Sequence, residues 1–283
     1  MKRISSLFII CLCALVATAQ ELTVGSYFIN CKDASGDQWS TCSKIIAKQI
    51  NWESPDMFGT QDCTRRQVVS LQGLLDGYEW IGVGATDGEE QGKHAAIFYR
   101  PERVKLLAQG TFWLNESPET PAVGWDATTP RICTWGLFRD RKTKKEFYYL
   151  NVQMDENGAT ARNESVKLVM QRIAELTADG SKPVVLTGGF HIAQTDEAYQ
   201  LFTKNDVLKD CYTTAAQRFA ENGTYNKSDY HLYSEQRIDH IFVTSSATVN
   251  SYAILTDGYW TTSSGNVRHT LSTHYPIFAR IVL

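Results

Sequence analysis

Four residues in this chain carry side chains that could hold a cation or move a proton: Asp62, His191, Asp239 and His274. Carboxylate oxygens are the preferred ligands of hard cations such as Mg²⁺. An imidazole can take a proton from water near neutral pH, especially when a carboxylate holds its second nitrogen. Two histidines with two carboxylates would suit Zn²⁺ or Mn²⁺ better than Mg²⁺. Whether these four side chains meet depends on the elements that carry them.

Short apolar and aromatic runs recur along the chain and indicate strands. They cover residues 22–29, 80–84, 95–100, 131–138, 147–154, 184–188, 238–243 and 275–283. Apolar residues with helical spacing indicate helices between them, most clearly over residues 160–176 and also over 45–50 and 68–75. This alternation predicts an α/β protein with two packed sheets and with helices on the outside.

The first 19 residues have the pattern of a signal peptide, with a basic start, an apolar run and small residues before Gln20. We therefore expect an exported protein whose single domain covers residues 20–283, in the periplasm or outside the cell. The apolar run is shorter than the ~20 residues of a spanning helix, so no transmembrane segment is expected. A lipid anchor is not expected either, because bulky residues precede Cys11 and Cys13.

The charge balance argues against general nucleic-acid binding. Residues 1–19 hold two of the 28 Lys and Arg and none of the 31 Asp and Glu, so the remainder has a formal net charge of −5. A sequence-independent nucleic-acid binder would normally show a basic face. The densest basic run, residues 139–145, lies between two strand-like segments and is predicted to be a hairpin turn.

Five cysteines follow residue 19, namely Cys31, Cys42, Cys63, Cys133 and Cys211. Their spacing matches no metal motif. In an oxidising compartment one or two disulfides could form, and the most natural pairs are Cys31 with Cys42 or Cys31 with Cys63.

Ten short segments, taken in order, resemble the endonuclease/exonuclease/phosphatase family across residues 20–283. They are VGSYFI (24–29), DMFGTQD (56–62), YEWIGVG (78–84), AIFYR (96–100), TFWL (111–114), PRI (130–132), LNVQ (150–153), LTGGFH (186–191), RIDHIFV (237–243) and STHYP (272–276). The resemblance implies a four-layer αββα sandwich, the DNase I-like fold, in which strand ends and loops converge on a metal and a phosphate.

The family's chemistry uses a cation held by carboxylates, a histidine–carboxylate pair that activates water, and donors for the phosphate oxygens. The resemblance places the main metal carboxylate, usually Glu, at Asp62. Phe28 stands where an Asn usually supports the metal shell. Gln153 and Lys93 stand where the family has a catalytic His and its orienting Glu, so both halves of that pair are lost.

Two further family motifs are altered. Gly189 replaces the carboxylate that positions the attacking water, and His191 replaces an amide that contacts phosphate. Thr273 replaces another carboxylate, while His274 and its implied partner Asp239 survive. Because the loss of parts of one catalytic unit costs several powers of ten in rate, we expect ordinary phosphodiester hydrolysis to be absent.

Neighbours of these residues have predicted structural roles. His240 follows Asp239 on a strand and therefore points to the opposite face. Asp155 and Glu156 precede the helix over residues 160–176, where a carboxylate favours the helix N-terminus. His191 is expected to occupy the polar pocket where the family has its phosphate-contacting amide. The alternative is that it serves as a new metal ligand or base.

The first functional hypothesis is a pseudoenzyme without a cofactor that binds a small molecule, a phosphate ester or a glycan in the old cleft. The alternative is an active metal-dependent phosphoesterase, in which the four residues named first hold Mg²⁺, Mn²⁺ or Zn²⁺ and supply the base. A structural role at the cell surface has the least support.

Trp260, predicted in a loop over residues 257–265, is the aromatic residue expected to touch a ligand. Pairing of Lys93 with Asp62 would indicate an abandoned metal site.

Overall fold

The computed structural model describes residues 20–33, 36–180, 182–204, 206–261 and 265–283. The predicted signal peptide lies outside the described residues. The helices are α1 (Trp39–Glu53), α2 (Arg65–Gln72), α3 (Ala159–Leu176), α4 (Glu197–Thr203) and α5 (Cys211–Thr214). The strands are β1 (Leu22–Phe28), β2 (Lys32–Asp33), β3 (Gly36–Asp37), β4 (Met57–Thr64), β5 (Glu79–Ile81), β6 (Lys93–Tyr99), β7 (Val104–Trp113), β8 (Ile132–Asp140), β9 (Glu146–Gln153), β10 (Val184–Gly189), β11 (Leu208–Asp210), β12 (Gln217–Phe219), β13 (Asp239–Thr244), β14 (Thr248–Ile254), β15 (Gly258–Thr261), β16 (Val267–Thr270) and β17 (Ile277–Val282).

Two large sheets pack face to face. The first has the order β12-β14-β17-β1-β4-β6-β5 and the second the order β11-β13-β10-β9-β8-β7. Apolar side chains from both sheets fill the space between them, among them Met57 and Ile277 from the first and Tyr149 and Ile241 from the second. Two small two-stranded sheets, β2–β3 and β15–β16, complete the strands of the described residues.

Helices cover the outer face of each sheet. Ile46 and Ile50 of α1 pack with Phe58 of the first sheet. Val169 of α3 packs with Leu186 of the second sheet, and α4 joins the same layer. The order of layers is therefore helix, sheet, sheet, helix, which confirms the predicted four-layer sandwich.

The structure refines several predicted elements. The helix expected over residues 160–176 begins one residue earlier, and residues 141–145 form the predicted turn between β8 and β9. The predictions missed the longer strands β4, β7 and β14, and also the short strands β2, β3, β11, β12, β15 and β16 and the helices α4 and α5. The glycine and polar residues of β4 hide its buried character, because Thr60 and Gln61 are both fully buried, Gln61 against Asn151 of the facing sheet.

The cysteines lie in the interior of the protein. All five cysteines of the described residues are buried, and none forms a disulfide. Cys31 lies beyond the end of β1, with its Sγ 3.4 Å from the backbone oxygen of Leu271. Neither candidate pair, Cys31–Cys42 or Cys31–Cys63, is joined by a disulfide in this structure.

Parallel pairing brings the ends of several strands to one edge of the sandwich. β1 runs parallel to β4 in the first sheet, and β9 runs parallel to β10 in the second. Their carboxyl ends meet the first residues of the antiparallel strands β6 and β13. Of the helices in the described part of the chain, none has the length and apolar character needed to cross a membrane.

Candidate functional site

Three predicted site residues lie side by side in the second sheet. Gly189 ends β10 and pairs with Gln153 of β9 on one side and with Asp239 of β13 on the other. Phe28 ends β1 of the first sheet and faces this row. The ends of these strands therefore meet where the resemblance places the family's cleft.

His274 and Asp239 form the predicted pair. His274 Nδ1 lies 2.8 Å from Oδ2 and 3.1 Å from Oδ1 of Asp239, and both side chains are buried. The hydroxyl oxygen of Thr224 accepts a hydrogen bond from the backbone N–H of Asp239 and helps to fix it. Burial alone would raise the pKa of Asp239, but the charge and hydrogen bond of His274 outweigh this effect and lower it. With Nδ1 engaged, Nε2 is the nitrogen of His274 that could face a ligand.

The ring of Phe28 covers one face of His274. The two ring centroids are 3.9 Å apart and the planes are nearly parallel, at 12°. A Cβ atom on Gly189 would lie only 2.7 Å from Cδ2 of Phe28, so the phenyl ring takes the space that a side chain at position 189 would need. The two departures from the family pattern, Phe28 and Gly189, are therefore physically coupled.

Asp62 is held by the protein's own polar groups. It lies at a bulge in the pairing of β4 with β6 and has a φ of 60°, a conformation that asparagine and aspartate adopt more readily than most residues. Lys93 Nζ lies 3.1 Å from Oδ1 of Asp62 and 2.7 Å from its backbone oxygen. Gln153 accepts a hydrogen bond of 3.0 Å from the backbone N–H of Asp62, and its amide nitrogen lies 3.4 Å from Oδ1.

These residues do not fit a divalent cation. An ammonium group already binds the one carboxylate that the resemblance assigns to the metal, and Phe28 offers no oxygen. Within the described ranges, no cluster of three or more His, Cys, Asp and Glu side chains could hold a metal ion. We therefore derive no chemical step through a metal at this cleft.

His191 lies next to the pair but is not joined to Asp62. Its ring centroid is 5.4 Å from that of His274 and 5.3 Å from that of Phe28. Burial and then the nearby charge of His274 lower the pKa of His191 to about 3, although Asp239 opposes the shift. The imidazole is thus neutral at physiological pH. The set of four residues expected for a rebuilt metal site is split, because the polar contacts of Asp62 are with Lys93 and Gln153.

Thr273 and Trp260 are the remaining residues that the sequence analysis assigned to the cleft. Thr273 is partly buried, and its backbone oxygen accepts a hydrogen bond from Asn226 N–H at 3.0 Å. Trp260 is not in a loop, because it pairs with Arg268 in the β15–β16 hairpin. Its indole is 59 % exposed and could meet a ligand.

His240 and Asp155, for which the sequence predicted structural roles, contact other protein groups. His240 Nε2 lies 2.8 Å from the backbone oxygen of Ile192, inside an aromatic cluster. Asp155 accepts hydrogen bonds from the backbone N–H groups of Asn157 and Gly158 at the start of α3. It also pairs with Arg131 at 2.9 Å, and its pKa is lowered because these bonds outweigh the effect of burial.

A buried polar network beneath the cleft was not predicted. Gln61 donates hydrogen bonds to Asn151 Oδ1 at 2.6 Å and to Ser26 Oγ at 3.0 Å. Asn151 in turn donates to the backbone oxygens of Thr60 and Ala96, which lie in the facing sheet. Polar residues inside otherwise apolar strands are the sequence signal that could have revealed this link between the sheets.

Comparison with solved structures identifies the family to which the chain is similar. No family model matches the chain, and a search of curated proteins finds no match. Among solved structures, the chain is similar to a mannosyl-6-phosphatase from Bacteroides thetaiotaomicron, with 40% identity, a TM-score of 0.89 and coverage of 93% of this chain and 100% of that one. An endonuclease/exonuclease/phosphatase family protein from the same species has 39% identity, a TM-score of 0.90 and coverage of 93% and 98%. A third, from Bacteroides vulgatus, has 31% identity, a TM-score of 0.82 and coverage of 93% and 99%.

The chain therefore belongs to the endonuclease/exonuclease/phosphatase family, and the resemblance found in its motifs is confirmed. Its cleft keeps the Asp239–His274 pair. The resemblance implies that Phe28 stands where an Asn supports the metal shell, and that Gln153 and Lys93 stand where a catalytic His and its orienting Glu would lie.

Proposed function

We propose that this protein is an exported, non-catalytic member of the family that binds a ligand in the former catalytic cleft. The observation that carries this proposal is the contact of Lys93 Nζ with Asp62, at 3.1 Å from the carboxylate and 2.7 Å from the backbone oxygen. A fixed ammonium supplies one positive charge at the implied metal position. It cannot polarise a bound water or bridge two phosphate oxygens as a divalent cation does.

The coupled residues Phe28 and Gly189 support the same proposal. The family uses polar side chains at both positions, whereas here a phenyl ring fills the space beside His274. An aromatic ring stacked on an imidazole stabilises a rigid, apolar wall. Such a wall suits recognition of a ligand better than proton transfer with water.

A phosphorylated sugar is the ligand class that we propose. One relative with 40% identity is a mannosyl-6-phosphatase, and it covers the chain over 93% of its length. Lys93 and the retained Asp239–His274 pair supply charged and hydrogen-bonding groups that could meet a phosphate ester. Loss of the hydrolytic residues, with these groups present, favours binding without turnover.

The alternative, a working phosphoesterase with a rebuilt metal site, has less support. It would require Asp62 to leave Lys93 and to join Asp239, His191 and His274 around a cation. Phe28 lies against both imidazole rings, which leaves an apolar surface where that cation would bind.

Turnover assays separate these two functions. The purified protein is incubated with p-nitrophenyl phosphate and bis(p-nitrophenyl) phosphate in Mg²⁺, Mn²⁺, Ca²⁺ or Zn²⁺, beside His274→Ala. We expect no hydrolysis above that of the variant with any metal. Calorimetric titration of Mn²⁺ should also show no saturable binding. Metal-dependent hydrolysis that is lost in His274→Ala would contradict the proposal and support the rebuilt site.

A further inference from the structure

A surface of aromatic and basic side chains adjoins the His274 end of the cleft. We call it the aromatic rim and define it by Tyr225, Lys227, Tyr230, Trp260 and Arg268. Tyr225 bridges to the backbone of His274, and the two ring centroids are 5.4 Å apart with the rings nearly perpendicular. Backbone hydrogen bonds from Asn226 to Thr273 and from Tyr275 to Thr224 fix this segment beside the cleft.

The β15–β16 hairpin supplies the other part of the rim. Trp260 and Arg268 are cross-strand partners, so their side chains lie on the same face of the hairpin. The guanidinium carbon of Arg268 lies 3.4 Å from the ring centroid of Tyr230. The hairpin thus places an exposed indole beside a guanidinium that is stacked on a phenol ring.

The charges of the rim are available to a ligand. Within the described part of the chain, neither Lys227 nor Arg268 forms an ion pair with a carboxylate. Arg237 offers a contrast, because it also stacks on a tyrosine but binds Asp210 at 2.7 Å in the core. Two cations without protein carboxylates, next to the exposed indole of Trp260 and two half-buried tyrosine rings, are suited to an anionic ligand with an apolar face.

We infer that the aromatic rim is a binding surface for an anionic saccharide. The apolar face of a sugar ring stacks on Trp260, and its charged substituent points towards Arg268 and Lys227. This inference rests on the proposed function for the occupant of the cleft and adds the residues that select the sugar. Polymeric nucleic acid is disfavoured as the occupant because residues 20–283 carry a formal net charge of −5.

Calorimetric titration with mannose 6-phosphate tests the rim. Trp260→Ala is compared with the wild type and with Trp52→Ala, a control whose indole is 85 % exposed on α1. We expect Trp260→Ala to raise the Kd roughly fivefold to tenfold, as loss of one aromatic contact would. The control should stay within about twofold of the wild type. Arg268→Gln should weaken mannose 6-phosphate more than mannose, with a loss that shrinks as salt rises.

Several outcomes would overturn the inference. They are equal binding of inorganic phosphate and mannose 6-phosphate, tighter binding of adenosine 5′-monophosphate, an unchanged Kd in Trp260→Ala, or no binding of any sugar probe at millimolar concentration. The turnover assays report separately on the proposed function. Binding that depends on Trp260 together with metal-dependent hydrolysis would uphold the rim while rejecting the pseudoenzyme. If the protein shows neither hydrolysis nor Trp260-dependent binding, the pseudoenzyme would be upheld and the binding role of the rim rejected.

Discussion

The ammonium of Lys93 lies 3.1 Å from Oδ1 of Asp62, while Gln153 contacts the same aspartate from the facing sheet. The side chains of Lys93 and Asp62 are 38 % and 16 % exposed, so solvent screens the pair only in part. The contact joins the two sheets at the cleft through one carboxylate. It explains how the protein can keep a partly buried carboxylate at this position without a metal.

A double-mutant cycle measures this contact. Lys93→Met and Asp62→Asn are made singly and together, and the free energy of unfolding is measured with urea. We expect a coupling energy of about 0.5–1.5 kcal/mol between the two positions, because the pair is partly buried and also hydrogen-bonded. Asparagine suits the left-handed backbone at position 62, so the Asn substitution adds little strain.

The exposed pair Lys167–Glu164 on α3 is the matched control for this cycle. Its coupling should be about 0.3 kcal/mol, typical of helix pairs three residues apart. A coupling energy at Lys93–Asp62 no larger than that of the control would show that this contact stabilises the protein no more than an exposed ion pair does.

A second prediction concerns the coupled positions Phe28 and Gly189. Gly189→Asp should destabilise the protein by about 2–4 kcal/mol, because the new side chain meets the phenyl ring and brings a charge into the cleft. Phe28→Asn removes the ring and opens that space. In urea unfolding, the double variant should therefore lose at least about 1 kcal/mol less than the sum of the two single losses.

Gly188→Ala is the control for this rescue. A Cβ at position 188 would meet the backbone oxygen of Val152 and not Phe28. Its cost should be the same with and without Phe28→Asn. Equal non-additivity for both glycines would mean that Phe28→Asn loosens the whole edge, and the specific coupling would be rejected.

The sequence predicted which residues belong to this site but not how their side chains pack. The resemblance of its motifs to the family implied that Asp62, Lys93, Asp239 and His274 line one cleft. The stacking of Phe28 on His274 depends on how β1 lies over β10 in the other sheet, and no local pattern encodes that register. Trp260 was assigned to a loop because only four residues pair on each side of its hairpin.

A third prediction follows from the lowered pKa of His191. Its value of about 3 in the folded protein lies below the ordinary value of about 6.5 in the unfolded chain. Between these values the unfolded state binds more protons, so this residue's contribution to stability falls as the pH drops from 6.5 towards 3. His191→Asn cannot titrate, and asparagine tolerates the positive φ of 52°.

Thermal and urea unfolding at pH 7 and pH 5 test this expectation. The stability of the wild type relative to His191→Asn should fall by about 1–2 kcal/mol between these pH values, after allowance for partial exposure of the ring. His231→Asn, at an exposed histidine, should show no comparable change. Parallel pH curves for the wild type and His191→Asn would reject burial of a neutral imidazole at position 191.

A last prediction concerns the residues that stand in place of the family's metal-binding and catalytic side chains. Restoring the family's residues requires seven changes: Phe28→Asn, Asp62→Glu, Lys93→Glu, Gln153→His, Gly189→Asp, His191→Asn and Thr273→Asp. Calorimetric titration of Mn²⁺ should show saturable binding to this variant and none to the wild type, because oxygen ligands replace an ammonium and a phenyl ring.

Lys93 and Phe28 can be tested within that background. Returning Lys93 alone should abolish Mn²⁺ binding, since its ammonium competes for the same carboxylate, and returning Phe28 should do so by refilling the space next to position 189. His231→Asn in the restored variant is the control and should leave binding unchanged. If the wild type already bound Mn²⁺ as tightly as the restored variant, the contact of Lys93 with Asp62 could not be what excludes the metal.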